Sequence, residues 1–293
     1  MYTPQPGILD DIPRIARYVS FSIKPDSNPG AVMEVLPDII DGTHCVVGLG
    51  EPLVAELDAN VPGLATFPNF AGKGISTPST QAALWCWLRG HDRGDMIHQT
   101  LWLEHHLSEA FEIDDIVDAF QYGDSRDLTG YEDGTENPKG DDAVNAAIVQ
   151  NAGPGMDDSS FVVAQQWVHD LQYLNTFTQD QQDNMIGRRK SDNEELDDAP
   201  PSAHVKRTAQ ESFDPEAFIL RRSMPWCDAT EEGLVFVAFG HSFAAYETLL
   251  KQMMGMNDGI KDSLFRFSRP ISGAYYWCPP MKDEKLDLSI LNL

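Results

Sequence analysis

Cysteine is scarce in this 293-residue chain, and its four examples, Cys45, Cys86, Cys227 and Cys278, form no CxxC pair. Zinc-site spacing is therefore absent, and the simple expectation is a reduced protein without disulfides. Positive charge is also in short supply. The 21 lysines and arginines face 46 aspartates and glutamates, giving a formal net charge of −25. A field of that sign repels nucleic acid and anionic membranes, so no partner of either kind is expected. Neutral or cationic small molecules are favoured instead. No run approaches the roughly 20 apolar residues of a membrane span. The opening MYTPQPGILDDIPR has neither a basic n-region nor an apolar h-region. No signal peptide is visible in it, which predicts a cytoplasmic protein.

Apolar residues, by contrast, make up 42% of the chain, enough for a real core and too many for global disorder. The length suits two domains of ordinary size or one large one. In RYVSFSIK, Val19, Phe21 and Ile23 alternate with Ser20 and Ser22, as a half-buried strand requires. GAVMEVLPDI places Val32, Val35, Leu36 and Ile39 on one helical face, with Pro37 as an interruption. CVVGLG reads as a buried strand, EPLVAELD as a helix, ALWCWLRG as a strand and MIHQTLWLEHHLSEAF as a helix.

The second half restarts the pattern with SSFVVAQQWVHDL and a helical stretch to about Gly187. HVKRT, AFILRR and LVFVAF are strand candidates, FAAYETLLKQMMG is a helix and GAYYW a last strand. The order of elements predicts an α+β protein of two ferredoxin-like halves, each an antiparallel sheet with helices. The halves would be 1–145 and 146–293, joined within the punctuated segment ENPKGDDAVNAAIVQNAGP. RRKSDNEELDDAPPSAH is acidic, lacks EF-hand spacing and predicts a solvated loop.

The most informative segment is GYEDGTENP, Gly130 to Pro138. Two glycines around one aspartate make a tight loop that allows close approach to a ligand. An ordinary Asp-Gly turn would look the same in isolation. In context, GYEDGTENP resembles the GxxDG loop of the dye-decolorizing peroxidases, bacterial type B in particular. RDLTG upstream fits that family too, as do IGRRKSDNEEL followed by HVKR, LRRSMPW, ALWCWLRGHDRGD and DGIKDSLFRFSRPISGAYYW. Several motifs in the right order are far more specific than any one of them.

The resemblance implies a haem b held mainly by the C-terminal half, with His204 in SAHVKRT as the iron ligand. A ligating imidazole normally donates its other N–H to a carboxylate. Asp262 is implied as that partner, Asp258 is the competitor, and either could simply cap a helix. Asp133 and Arg221 would share the peroxide side. Splitting hydrogen peroxide requires moving a proton from its inner to its outer oxygen, which a carboxylate can do. Arg221 would stabilise charge on the leaving oxygen and, being always protonated, cannot itself serve as base. Gly134 belongs to the same loop. Ser223, two residues beyond Arg221, would share its face of a strand, where relatives often carry Asn.

Arg207 and Asn137 are candidates to pair with the haem propionates. Leu234, Phe236 and Phe239 could supply apolar wall. His105 and His106 suit a helix C-terminus, and Cys278-Pro279 suits a strand end. No CxxCH is present, which excludes covalent c-type attachment. The implied reaction is hydrogen peroxide reduction coupled to oxidation of phenols or dye-like aromatic donors. The alternative is a haem-binding or haem-iron-release protein with little peroxidase turnover. Bulky donors would deliver electrons through an aromatic such as Tyr131 or Trp226. A homo-oligomer and an encapsulating shell protein are further partners that the resemblance allows. The amphiphilic tail MKDEKLDLSILNL could serve shell loading or pack on its own domain.

Overall fold

The computed structural model describes residues 2–293. Ten strands form one sheet: β1 (Ile15–Ile23), β2 (Cys45–Leu49), β3 (Leu84–Gly90), β4 (Phe111–Phe120), β5 (Ser160–His169), β6 (Leu220–Arg221), β7 (Met224–Cys227), β8 (Glu232–Gly240), β9 (Ser268–Pro270) and β10 (Ala274–Cys278). Their order is β9-β5-β10-β2-β3-β1-β4-β7-β8-β6, and β8 also pairs with β5. Every pairing is antiparallel. The strands of the first half therefore run β2-β3-β1-β4, and those of the second β10-β5-β8-β7. The two sets join through single pairs, Trp277 with Leu49 and Trp226 with Ala119. The class is α+β, as expected.

The strands are apolar on both faces because the sheet carries a core on each side. Val19 and Phe21 enter one core, while Ala16 and Tyr18 enter the other with Trp85, Trp87 and Tyr276. The same division splits Val163 from Val162 on β5. Period-two alternation places successive side chains on opposite faces.

The helices include α1 (Arg93–Leu107), α2 (Gln179–Ile186), α3 (His204–Arg207) and α4 (Ala244–Met253). The Asp92 side chain caps α1 by accepting from Gly94 and Asp95. His105 and His106 lie in its last turn, as expected. Thr178 and Gln181 close a capping box at the start of α2, and Gly187 ends it at φ +96°. A Cβ on Gly187 would lie 2.3 Å from Val205 Cγ2, so glycine there lets α2 and α3 approach.

Three expectations are corrected. HVKRT is not a strand. The Ala203 carbonyl accepts from the backbone N–H groups of Lys206 and Arg207, and His204–Arg207 forms a helical turn. The helix expected across GAVMEVLPDI is two short pieces, Pro29–Met33 and Leu36–Ile39, divided ahead of Pro37. Strand β4 was not expected, because a register shift opposite Ser20 and Phe21 interrupts the alternation of FEIDDIVDAF.

The tail folds back on the molecule. Met281–Lys282 pairs with Tyr2–Thr3 and with Lys285–Leu286. Leu286, Leu288 and Leu291 are buried in the first core. Burying a leucine contributes about 1.5–3 kcal/mol. Removing residues 287–293 should therefore lower the thermal midpoint by several degrees. An unchanged midpoint would show that the tail adds nothing to the core.

Candidate active site

A cavity of about 320 Å³ opens among β5, β8, α3, α4 and the loop after β4. His204, Asp133 and Arg221 all line it, although they come from three separate segments. Leu234, Phe236, Leu249, Leu250 and Met253 supply apolar wall. Phe239 does not reach it, being fully buried in the second core.

His204 opens α3, and its Nδ1 lies 2.7 Å from Asp262 Oδ2. Asp262 is buried, with 2% exposure. Its other oxygen accepts from the Leu264 backbone N–H at 2.8 Å, capping a 3-10 turn. The carboxylate thus serves as both cap and imidazole partner, one oxygen for each. An imidazole whose Nδ1 donates to a carboxylate presents a more basic Nε2. Asp258 is excluded from that task because both its oxygens bind Arg207, at 2.7 and 2.8 Å.

Arg207 is accordingly corrected as a propionate partner. It is buried at 3% exposure, held by Asp258 and the Gln252 carbonyl, and is not among the lining residues. Its guanidinium pulls Asp258 down to about 2. A carboxylate depressed on folding adds stability above its unfolded value of about 3.9 and loses it as pH falls through the folded value. Acid denaturation of Asp258→Asn should therefore show a flatter stability curve between about pH 4 and pH 2. An unaltered curve would remove this pair from the acid response.

On the loop, Asp133 Oδ1 lies 3.7 Å from Arg221 Nη1. The two are brought together by Asn137, whose Nδ2 donates to the Arg221 carbonyl and whose Oδ1 accepts from the Arg221 N–H, both at 2.9 Å. Asn137 therefore holds the arginine's backbone through both of its amide atoms. Gly134, at φ +79°, stands where a Cβ would come within 2.9 Å of Asn137 Nδ2. Ser223 lies off the main cavity and lines a second one of about 360 Å³, which shares Asp133, Gly134, Leu234 and Arg221 with the first. Its Oγ accepts from the Val237 N–H at 3.4 Å.

Arg188, a cation on the cavity wall, was not among the expected site residues. It pairs with Glu136 and with Glu195, the latter at 3.5 Å, and donates to the Asn193 carbonyl at 2.9 Å. The acidic loop is thereby tied down by salt bridges, Asp192 and Glu194 being held by Arg189. The arginines of IGRRK were the available signal.

The donor set fits haem. Among the described residues, no group of three or more His, Cys, Asp or Glu side chains is placed to hold a metal ion. A single imidazole suits a metal that brings its own equatorial ligands, as a porphyrin supplies them. Arg221 Nε is buried and unpartnered. A carboxylate-backed imidazole, an apolar wall and an Asp–Arg pair in one cavity define the class: a haem peroxidase.

Comparison with known proteins gives the family. The model for the C-terminal part of Dyp-type peroxidases matches residues 124–283. A dye-decolorizing peroxidase of Rhodococcus erythropolis is 30% identical, covering 94% of this chain and 86% of that protein. The fold matches the dye-decolorizing protein from V. cholerae with a TM-score of 0.85 at 26% identity, over 98% of each chain. It matches a DypB variant of Rhodococcus jostii RHA1 in complex with heme at a TM-score of 0.86 and 26% identity, over 93% and 94%. The encapsulated DyP-type peroxidase from Mycobacterium smegmatis aligns at 0.85 and 26% identity, over 94% and 96%. The chain belongs to the Dyp-type peroxidase family and is a haem-dependent peroxidase.

Asn137→Ala should cost about 1–3 kcal/mol, since it leaves the Arg221 N–H without a partner and the carbonyl with only the Arg222 guanidinium at 3.3 Å. Urea denaturation measures this, and a loss below about 0.5 kcal/mol would mean that another group replaces the clamp.

Proposed function

We propose that this protein reduces hydrogen peroxide at one noncovalent haem b held by His204, using Asp133 and Arg221, and oxidises phenolic or dye-like donors. The observation that carries the reading is the shared cavity: His204 backed by Asp262 and the Asp133–Arg221 pair line the same space. Bound there, the haem would supply the iron at which the peroxide O–O bond breaks. Ionised Asp133 accepts the proton from the inner oxygen and returns it to the outer one. Arg221 stabilises negative charge as that oxygen leaves. Asn137 orients Arg221, and Asp262 orients His204. A passive haem carrier would have no use for the acid–base pair.

The division into ferredoxin-like halves, 1–145 and 146–293, belongs to the same reading and is supported by the equivalent strand orders β2-β3-β1-β4 and β10-β5-β8-β7. The first half supplies the Asp133 loop and the second most of the cavity wall. A cytoplasmic site of action fits the chain's composition, and no described helix is long and apolar enough to cross a membrane. Enclosure in a shell protein is supported by the encapsulated relative. Leu288 and Leu291 would have to leave the core before the tail could be displayed to a shell. Self-association into a homo-oligomer is part of the proposal and is read directly by sedimentation.

Two experiments test the assignments. His204→Ala should lose most haem retention and the resting ferric spectrum, and an unchanged spectrum would move the ligand elsewhere. Arg221→Leu and Asp133→Asn should keep haem yet slow the first absorbance change on mixing with hydrogen peroxide. The losses should be about 10²–10³-fold for the arginine and about 10²–10⁴-fold for the carboxylate. Wild-type rates in both variants at every pH would sink the mechanism.

A further inference from the structure

We propose that His169 is a positioning residue for the peroxide reaction, acting through Asp127 on the loop that carries Asp133. The proposal rests on the role of Asp133 as the proton carrier. His169 is the last residue of β5, is 6% exposed, and lines the cavity. Both its ring nitrogens are engaged. Nδ1 lies 2.7 Å from Ser268 Oγ, and Nε2 lies 3.0 Å from Asp127 Oδ1. Ser268 begins β9 and is the register partner of His169, so the ladder places the imidazole within the C-terminal half. Asp127 belongs to the connection after β4, and the bond therefore crosses between the halves.

From Asp127 a chain of hydrogen bonds leads to Asp133. The Asp127 N–H donates to the Tyr131 carbonyl at 2.9 Å, and its own carbonyl accepts from Gly130 at 2.8 Å. Its second carboxylate oxygen accepts from the Thr129 N–H at 2.8 Å. Arg126 donates to the Gly130 carbonyl at 2.8 Å and to Glu132 at 3.0 Å. The Asp133 N–H donates to the Ser125 carbonyl at 2.9 Å. Residues 125–133 thus form one knot. His169 and the Tyr131–Asp183 hydrogen bond tie it to the C-terminal half, and Asn137 holds its far end against Arg221.

Burial makes the His169 bond matter. The Asp127 side chain is 14% exposed. Burial pushes this carboxyl upward, while the bonds from His169 and Thr129 outweigh it and leave the group below the usual carboxylate range. Removing the imidazole leaves a buried charge held by Thr129 alone, a costly state that the loop relieves by moving toward water. Movement of that loop displaces Asp133 from Arg221. A misplacement of about 1 Å can cost about 10²-fold in rate.

The test compares haem-loaded wild type, His169→Ala, Asp133→Asn and the double variant by stopped-flow mixing with hydrogen peroxide. His169→Ala should slow the peroxide step by about 10- to 100-fold while haem affinity and the resting spectrum stay unchanged. In the Asp133→Asn background, the same substitution should have no further effect. His169→Gln, whose amide can accept from Ser268 and donate to Asp127, should recover most of the rate. A slow Asp133→Asn beside a wild-type-like His169→Ala, or losses that multiply in the double variant, would overturn the inference and leave the role of Asp133 standing. Weakened haem binding in His169→Ala would overturn it too, by showing a direct contact with the cofactor. A wild-type rate in Asp133→Asn would remove both. Should His169→Ala fail to fold, Asp127→Asn carries the same test, and its loss must likewise vanish when Asp133 is Asn.

Discussion

The two hydrogen bonds between the Asn137 amide and the backbone of Arg221 join the loop after β4 to strand β6. They fix Asp133 and Arg221 relative to one another where regular structure does little, since one lies on an irregular connection and the other at the end of a two-residue strand. The side-chain amide satisfies both backbone groups at once, imitating a strand partner. Its place depends in turn on Gly134, where any side chain would press on the amide. Much of the cavity's arrangement therefore follows from one short segment in which glycine, aspartate and asparagine have separate tasks.

Carboxylates divide the labour around His204 in the same manner. Asp262 and Asp258 lie four residues apart, yet one holds the imidazole and the other a guanidinium. Asp262 is buried and capped by a backbone N–H, so its lone pairs have fixed directions. Asp258 neutralises Arg207, which would otherwise be a buried unpaired charge in α3. The helical turn that begins with His204 is thus braced by two aspartates of different function. Arg188, between Glu136 and Glu195, repeats the pattern on the cavity wall.

The strongly negative net charge has little part in the cavity's inner arrangement, where cations are matched to individual carboxylates. It acts at longer range, on which molecules approach. Hydrogen peroxide is neutral and indifferent to that field, whereas an anionic dye would be repelled at low salt. Fold, site and approach are in this way governed by different residues: apolar alternation, a few paired polar groups, and the surface excess of Asp and Glu.

The sequence by itself was enough for the α+β class, most strands, and the three residues His204, Asp133 and Arg221 that meet in one cavity. Apolar alternation reflects burial directly, and GYEDGTENP is specific in its context. Strand β4 was hidden because its bulge breaks the alternation, and α3 because four residues carry no period. Only the tertiary structure decided between Asp262 and Asp258, moved Arg207 out of the cavity, and assigned Asn137 to the arginine backbone. The physical reason is the short range and direction of hydrogen bonds. Which carboxylate meets which cation depends on positions settled by packing of segments distant along the chain, and no local pattern of residues records those positions.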